Sequence, residues 1–271
     1  MNKQFFTAQD HTFTICAYGQ SEYIEECIKS VISQSLQTNV IMCTSTPSEY
    51  LELLAKKYDI PYYINEEKKF NSDIASDWNF AISCAKTRLV TIAHQDDLYK
   101  ADFTKEVIGH FNGTDRPLIA YTDYAELRNG REVANIRNLK IKRIMLFPLR
   151  PRFMWSSRFM RRRMLSLGSA ICCPSVTYVP ENLPKQLFIP GYKGGIDWQA
   201  WERFSKLKGE FVFVNNILMV HRIHDDSETT ALINGNTRTQ EDFEMFCKFW
   251  PRWIARIIEH FYKKGEDSNE L

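Results

Sequence analysis

Short apolar runs and helical segments alternate through the first third of the chain, and this alternation constrains the fold more than any other feature. Runs rich in strand-forming residues occupy positions 13–17, 39–43, 60–64 and 89–93. Apolar residues at helical spacing occupy 22–34, 49–58 and 76–86. Strands that alternate with helices form βαβ units, which build a parallel sheet. We therefore predict an α/β fold with a mostly parallel sheet flanked by helices, and further strands at 169–173 and 211–214.

Three polar loops follow predicted strands, at positions 18–21, 44–47 and 94–97. In open α/β sheets, ligands bind beyond the carboxyl ends of the strands. We therefore expect the three loops to lie together on one edge of the sheet and to form the binding site.

Composition and charge bear on the class of protein and on its compartment. The net charge of +2 is too small to indicate a nucleic-acid partner by itself, and no CxxC pair predicts a zinc site. There are seven cysteines, an odd number, and most of them lie in apolar runs. This pattern is typical of buried thiols in a reducing compartment. Because no apolar run approaches the ~18 residues of a membrane span and the start lacks a long apolar segment, we expect a cytoplasmic protein. Contact with the inner face of the cell membrane stays open.

Two adjacent acids, Asp96 and Asp97, follow the fourth predicted strand directly. Neighbouring carboxylates repel each other unless a cation or hydrogen-bond donors offset the repulsion. A helix N-cap or a solvated turn is one explanation of such a pair. A magnesium-type site is the other, because such sites use one or two carboxylates and complete the shell with substrate phosphates.

Five segments together resemble the family 2 glycosyltransferases of the GT-A fold. FTICAYGQSEYIEECIKSVISQS is similar to the family's first strand, nucleotide-side loop and first helix, and SDWNFAISCAKTRLVTIAHQDDLY to the unit that ends in a DxD-type metal motif. LGSAICCPSVTYV, GGIDWQAWERFSKLKG and HRIHDDSET resemble the acceptor-side strand, the segment with the catalytic base and the loop that closes over the diphosphate. Each motif alone is weak, but their order and spacing across 13–230 are fairly specific.

The resemblance implies a GT-A-like, Rossmann-type fold and an inverting, metal-dependent transfer of a sugar. The donor would be a nucleotide-diphosphate sugar, with a UDP-sugar as one candidate, and the acceptor a glycan or a lipid-linked glycan in surface polysaccharide synthesis. His94 matches the first Asp of the metal motif, Asp96 matches the second and Asp97 follows it. Asp96, Asp97 and His224 would hold Mn²⁺ or Mg²⁺, and Asp197 matches the catalytic base.

The remaining expected contacts are with the donor, and they include departures from the family pattern. The turn 43–46 has no acid where the family reads the nucleoside, and Ile196 replaces an acid that often precedes the base. Asp73 or Asp77 could replace the missing acid, and Trp78 could stack on the base or lie in the core. The expected donor-binding residues are Ala17, Tyr18, Gly19, Thr44, Ser45, Asp77, Asn79, Gln95, Asp96 and His224.

We expect a glycosyltransferase domain at 1–232, with a nucleotide-binding half at about 10–100 and an acceptor half at about 101–232. Residues 233–271 would form an extension, helical from 237 to 264 and interrupted near Pro251. The extension could pack on the core, lie at a membrane interface or contact a second copy in a homodimer.

The segment 140–163 interleaves nine cations with aromatic residues. It could be a solvated face, a loop near the acceptor site or a surface that docks on an anionic membrane. A nucleic-acid module is a rival but not the expected function, and a catalytically silent scaffold that binds glycan or partner enzymes is another. A nucleotidyltransferase would need a glycine-rich phosphate loop near the start, where only Gly19 is found.

Overall fold

The computed structural model describes residues 3–224 and 237–267, and in these residues nine strands form one mixed sheet. The strand order is β3-β2-β1-β4-β8-β6-β9-β5, and β7 pairs with β6. The strands are β1 (His11–Ala17), β2 (Asn39–Thr44), β3 (Tyr62–Ile64), β4 (Leu89–His94), β5 (Leu98–Tyr99), β6 (Pro117–Arg128), β7 (Arg131–Val133), β8 (Val176–Tyr178) and β9 (Glu210–Ile223). The helices are α1 (Ile24–Ile32), α2 (Glu49–Lys57), α3 (Ile74–Cys84), α4 (Phe103–Phe111), α5 (Arg137–Leu146), α6 (Arg158–Leu165), α7 (Ile196–Ser205), α8 (Thr237–Cys247) and α9 (Arg252–Asp267).

Strands β1 to β4 are mutually parallel, which confirms the predicted α/β fold. Strand β8 runs antiparallel to β4 and β6, and β9 then runs parallel to β6 and antiparallel to β5. Strand β8 thus lies between β4 and β6 and joins the two halves of the chain in one sheet. Residues of both halves therefore meet at the edge that follows β4.

The prediction of a strand at 169–173 is wrong. A 3₁₀ turn covers Cys173–Ser175, and the strand begins at Val176. Pro174 lies in this turn, where its fixed φ and missing N–H suit a helical turn and would interrupt a strand ladder. The strand predicted at 211–214 exists but continues to Ile223.

Apolar side chains pack on both faces of the sheet. Phe13, Ile15 and Ala17 alternate along β1 and join a cluster with residues of α1, α2 and α4. A second cluster contains Trp198 and Trp201 of α7 together with residues of α3, α6, α8 and α9. The period of two along each strand explains this division, because successive side chains point to opposite faces.

The C-terminal helices share this second cluster. Met245 and Phe246 of α8 and Ala255 of α9 are fully buried, and the break at Pro251 is where the sequence predicts it. Core packing, one of the three expectations for this segment, therefore accounts for one side of these helices. Among the described helices, none combines the length and the apolar character that crossing a bilayer requires.

The position of His11 makes stability depend on pH. Its ring nitrogens bond to the hydroxyls of Thr38 and Thr91 at 2.9 and 2.8 Å, and burial lowers the pKa of His11 to about 3. The unfolded chain takes up this proton below pH 6.5, whereas the folded chain does not until about pH 3. Stability is therefore lost as pH falls through this window, by about 1.4 kcal/mol per pH unit. In urea titrations, His11→Asn should flatten this slope, and His260→Asn, at an exposed position, should leave it unchanged.

Substitution by alanine should have opposite effects on stability at two glycines. A Cβ on Gly209, where φ is +145°, would lie 2.6 Å from the carbonyl oxygen of Arg116, but a Cβ on Gly109 in α4 meets no atom within 4 Å. Gly209→Ala should lower the free energy of unfolding by about 2 kcal/mol or more. Gly109→Ala should raise it by about 0.5–1 kcal/mol. Similar values for the two variants in urea unfolding would contradict the geometry.

Candidate functional site

A cleft of about 1010 Å³ lies beyond the carboxyl ends of β1, β2 and β4. Its lining includes Ala17, Tyr18, Thr44, Asp77, Gln95 and Asp96 from the first half of the chain. From the second half it includes Asp197, His221 and His224. The predicted loops therefore do share one edge, and of the two acids after β4, Asp96 shares the cleft with Asp197, whereas the buried Asp97 does not line it.

Hydrogen bonds between neighbouring loops fix the wall that follows β1. Tyr18 donates its N–H to Gln95 Oε1 at 2.9 Å, and Gln95 Nε2 donates back to Tyr18 O at 3.0 Å. Gly19, at φ +61°, donates its N–H to Thr46 Oγ1 at 2.7 Å. The side chain of Tyr18 stays 60% exposed, so its ring is accessible to a ligand.

Asp77 of α3 contributes a carboxylate to the same wall. Its Oδ2 accepts a hydrogen bond from Ser45 Oγ at 3.1 Å, while Oδ1 is buried without a hydrogen-bond partner among the described residues. Burial raises the pKa of Asp77. Asp73 instead caps α3 through the N–H of Ser76. An acid thus stands in the cleft beside the acid-free turn after β2.

Asn79 lies elsewhere than predicted. Its amide accepts the N–H groups of Leu187 and Phe188, both at 3.1 Å, and donates to Phe188 O at 2.7 Å. It is not among the residues that line the cleft. The side chain supports the 187–188 segment, because all of these bonds join it to that backbone.

Three potential ligands lie together at the tip of β4. One ligand atom each of His94, Asp96 and Asp97 lies within 4.8 Å of the others. Burial lowers the pKa of His94, whose Nε2 is buried without a partner among the described residues. Trp78 stacks on this imidazole at 5.2 Å between ring centroids, so it both packs beneath His94 and lines the cleft.

Asp97 is fully buried. Its Oδ1 accepts bonds from His221 Nδ1 and from the N–H of Arg222, both at 2.9 Å. Its Oδ2 has no hydrogen-bond partner in the described part of the chain and lies 3.7 Å from His94 Nδ1. Burial alone would lower the pKa of His221, but the charges of Asp97 and Asp96 outweigh it and raise that pKa.

Asp96 is more accessible and faces the cleft. Its Oδ2 lies 3.0 Å from His224 Nε2, and its backbone carbonyl accepts a bond from Arg222 Nε at 2.9 Å. Burial would raise the pKa of Asp96, but the neighbouring histidines His94, His224 and His221 hold it below its usual value. The guanidinium of Arg222 also pairs with Glu26 of α1 and lies 4.3 Å from the ring centre of Tyr23. The rest of the predicted closing loop, 225–229, lies outside the described residues.

Asp197 is the second residue of α7, and its N-cap is Gly195, so Asp197 is not the cap. It lines the cleft, and its Oδ1 accepts the N–H of Trp198 at 2.6 Å. Ile196, at the position of the missing acid, is buried in the core. Burial raises the pKa of the Cys172 thiol, which also lines the cleft, and the charges of Asp97 and Asp197 raise it further.

The loop that leads to Asp197 is held by a carboxylate from α8. Glu241 is buried and accepts the N–H groups of three successive residues, Lys193, Gly194 and Gly195, at 2.7, 2.8 and 3.1 Å. Three converging N–H groups form an anion-binding nest at the start of α7. The C-terminal helices therefore fix the entry to α7 in addition to filling the core.

Residues 12–175, more than half of the chain, match the family described as glycosyl transferase family 2. The chain belongs to this family. It is accordingly a glycosyltransferase, and the resemblance that the sequence motifs indicate is confirmed. A comparison with curated protein sequences gave no match.

Solved glycosyltransferases of the GT-A fold have the same architecture as this family 2 enzyme. The S. aureus TarS fragment 1–349 in complex with UDP-GlcNAc superposes with a TM-score of 0.62 at 11% identity, over 93% of this chain and 70% of that one. The mannosyltransferase PcManGT from Pyrobaculum calidifontis, with GDP-Man and Mn²⁺, gives 0.59 at 13% identity, over 96% and 72%. Glucosyl-3-phosphoglycerate synthase from Mycobacterium tuberculosis, with Mn²⁺, UDP and glucosyl-3-phosphoglycerate, gives 0.51 at 17% identity, over 80% and 73%. At these identities the likeness shows the fold.

Sequence reasoning missed several residues of the site. One of them is His94, which was not among the expected metal ligands. The available signal was its match to the first Asp of the DxD-type motif. Lys142 lines the cleft and bonds to the hydroxyl of Tyr124 at 2.7 Å, although it lies within the basic segment. Glu241 gave no local signal, because its partners lie 46 to 48 residues earlier in the chain.

Glu241→Ala should lower the free energy of unfolding by about 3 kcal/mol, because it leaves three N–H groups, including the buried one of Gly195, without their acceptor. Glu241→Gln keeps one acceptor oxygen and should cost less. Glu244→Ala, on the same helix, removes exposed hydrogen bonds, among them one from the hydroxyl of Tyr192. It serves as the matched control and should change stability by no more than about 0.5 kcal/mol. Urea unfolding measures all three, and equal effects of Glu241→Ala and Glu244→Ala would contradict the clamp.

Proposed function

We propose that this glycosyltransferase is an inverting, metal-dependent enzyme that moves a sugar from a nucleotide-diphosphate donor to a glycan or lipid-linked acceptor. The observation that carries the proposal is that Asp96 and Asp197, from opposite halves of the chain, line one cleft. A donor diphosphate and an attacking hydroxyl need such a common space. The setting in surface polysaccharide synthesis rests on the family resemblance.

The donor would lie along the wall formed by the loops after β1 and β2. Ala17, Tyr18 and Thr44 line this wall and would contact the nucleoside. Gly19 and the buried Ser45 would support the wall instead, because they already bond to Thr46 and Asp77. Oδ1 of Asp77 has no hydrogen-bond partner among the described residues, and a base N–H or a ribose hydroxyl would satisfy it, since a buried polar atom without a partner is costly. Gln95 is already bonded to Tyr18 through both of its amide atoms, so it supports this wall.

The residues at the tip of β4 fit a divalent cation. In the described part of the chain, a carboxylate oxygen of Asp97 and a ring nitrogen of His94 are buried without hydrogen-bond partners, and Asp96 lies beside them with its pKa lowered. Carboxylate and imidazole are ligands that Mn²⁺ accepts, and Mg²⁺ prefers the oxygens. Asp96 would hold the ion together with Asp97 or His94, and His224 would orient Asp96 or join the shell. The ion would neutralise charge that develops on the leaving diphosphate.

Asp197 would act as the general base. An acceptor hydroxyl is a weak nucleophile at neutral pH, and a carboxylate within hydrogen-bond reach can take its proton as the new C–O bond forms. One base on the side opposite the leaving diphosphate suffices for a single displacement with inversion. The rigid start of α7, with Glu241 beneath its loop, would keep this carboxylate in place.

A panel of nucleotide sugars with Mn²⁺ or Mg²⁺ tests the donor site by thermal shift and donor hydrolysis. One donor should stabilise the wild type, and chelation of the metal or Asp96→Asn should abolish that shift. Asp59→Asn changes an exposed acid outside the cleft and should behave as the wild type. A donor shift that is the same in Asp96→Asn and wild type would refute the metal role of Asp96.

Asp197→Asn tests the base separately. The variant should keep the donor-induced shift and lose about 10²–10⁴-fold in kcat, as expected when a general base is removed. Turnover rates with the donor identified in the panel give the comparison. Unchanged kcat would sink the base assignment, and donor binding without turnover in the wild type would favour the silent scaffold.

A further inference from the structure

The stretch 133–180 contains ten Lys or Arg residues and no Asp or Glu. Some of these cations have partners from other segments: Arg143 pairs with Asp123 at 2.6 Å and Arg162 with Glu202 at 2.8 Å. Others stay exposed, among them Lys140, Arg150 and Arg158. Every exposed charged side chain of this stretch is thus positive, because the stretch supplies no acid of its own.

Large aromatic side chains are exposed between these cations. Phe147, Phe153 and Phe159 are 62%, 75% and 66% exposed. Arg150 lies 5.3 Å from the ring centre of Phe147, and α5, the turn Phe147–Leu149 and α6 pack against one another. The rings and cations therefore belong to one surface, which we call the basic–aromatic face and define as the exposed side chains of 140–163.

Helix α9 begins next to this face. Arg163 lies 5.8 Å from the ring centre of Phe159 and 4.4 Å from that of Trp250, which links α6 to the start of α9. Trp253, Ile257 and Phe261 recur every four residues along α9 and are 51–68% exposed. Ala255 on the inner side of the same helix is fully buried. The outer stripe of α9 is therefore a second apolar side, beyond the one that the core needs.

The chemistry of this face selects its partner. Exposed apolar patches beside cations mark an interaction site for a surface that is both apolar and anionic. A second copy placed symmetrically on the same face would bring cations against cations, which disfavours a dimer through it. We propose that the basic–aromatic face and the outer stripe of α9 dock on a bilayer that contains anionic phospholipids.

Docking through this face would also orient the enzyme. On α5, Lys142 lines the cleft, whereas Lys140, Ile141 and Ile144 are exposed on the same helix. The cleft would then open next to the bilayer, where a lipid-linked acceptor is embedded. This orientation rests on the proposed function, whereas docking itself does not.

Co-sedimentation of the full chain with vesicles tests the proposal. We expect binding to phosphatidylcholine vesicles that contain phosphatidylglycerol, weak binding to phosphatidylcholine alone, and release at high salt. Phe153→Ser with Phe159→Ser, and separately Arg150→Gln with Arg158→Gln, should each lower the partition by about tenfold or more. Leu53→Ser, at an exposed position of α2, is the matched control and should bind as the wild type does.

Wild-type protein that fails to bind the anionic vesicles would overturn the proposal. So would equal binding by all variants, or a face that instead mediates concentration-dependent self-association or binds nucleic acid. Circular dichroism of each variant keeps misfolding from counting as loss of binding. The vesicles contain no sugar nucleotide, so failure here leaves the proposed transferase chemistry standing, and failure of donor turnover leaves the docking result standing.

Discussion

The buried carboxylate of Asp97 joins the two halves of the sheet at the site. Removing one partner of a buried charge costs about 3–5 kcal/mol, so the fold must keep donors around it. The donors are His221 Nδ1 and the N–H of Arg222, both on β9. Antiparallel pairing of β5 with β9 sets Leu98 opposite Val220 and so brings the residue before β5 to these donors. The position of the acids after β4 thus depends on a strand more than 100 residues later.

The same register explains the spacing of the two histidines. His221 and His224 are three residues apart, and on an isolated strand they need not face one site. Here the chain runs past two adjacent acids, so that His221 contacts Asp97 and His224 contacts Asp96. Asp97 is held in the interior while Asp96 stays accessible, which divides the acid pair into a structural anchor and a group that can meet a ligand.

The parallel half of the sheet can be predicted from the sequence, because each of β1 to β4 is a short apolar run before a polar loop. The ligand edge and the cleft shared by Asp96 and Asp197 also follow, the second through the family resemblance. Three features could not be predicted, because each depends on a partner 46 or more residues away. They are the burial of Asp97, the amide bonds of Asn79 and the clamp by Glu241. The incorrect prediction of a strand at 169–173 could have been avoided from the sequence, because Pro174 disfavours a strand there.

The C-terminal helices combine functions that the sequence suggests as alternatives. Their inner side fills the core beside Trp198, and Glu241 holds the loop before Asp197, so α8 belongs to the site as much as α7 does. The apolar residues on the outer side of α9 are not part of that core cluster, and exposing three large side chains in one stripe disfavours the free surface. Because the inner side alone satisfies the fold, the outer stripe requires a different explanation, and the acid-free basic segment next to it supplies the charge that an anionic membrane would match.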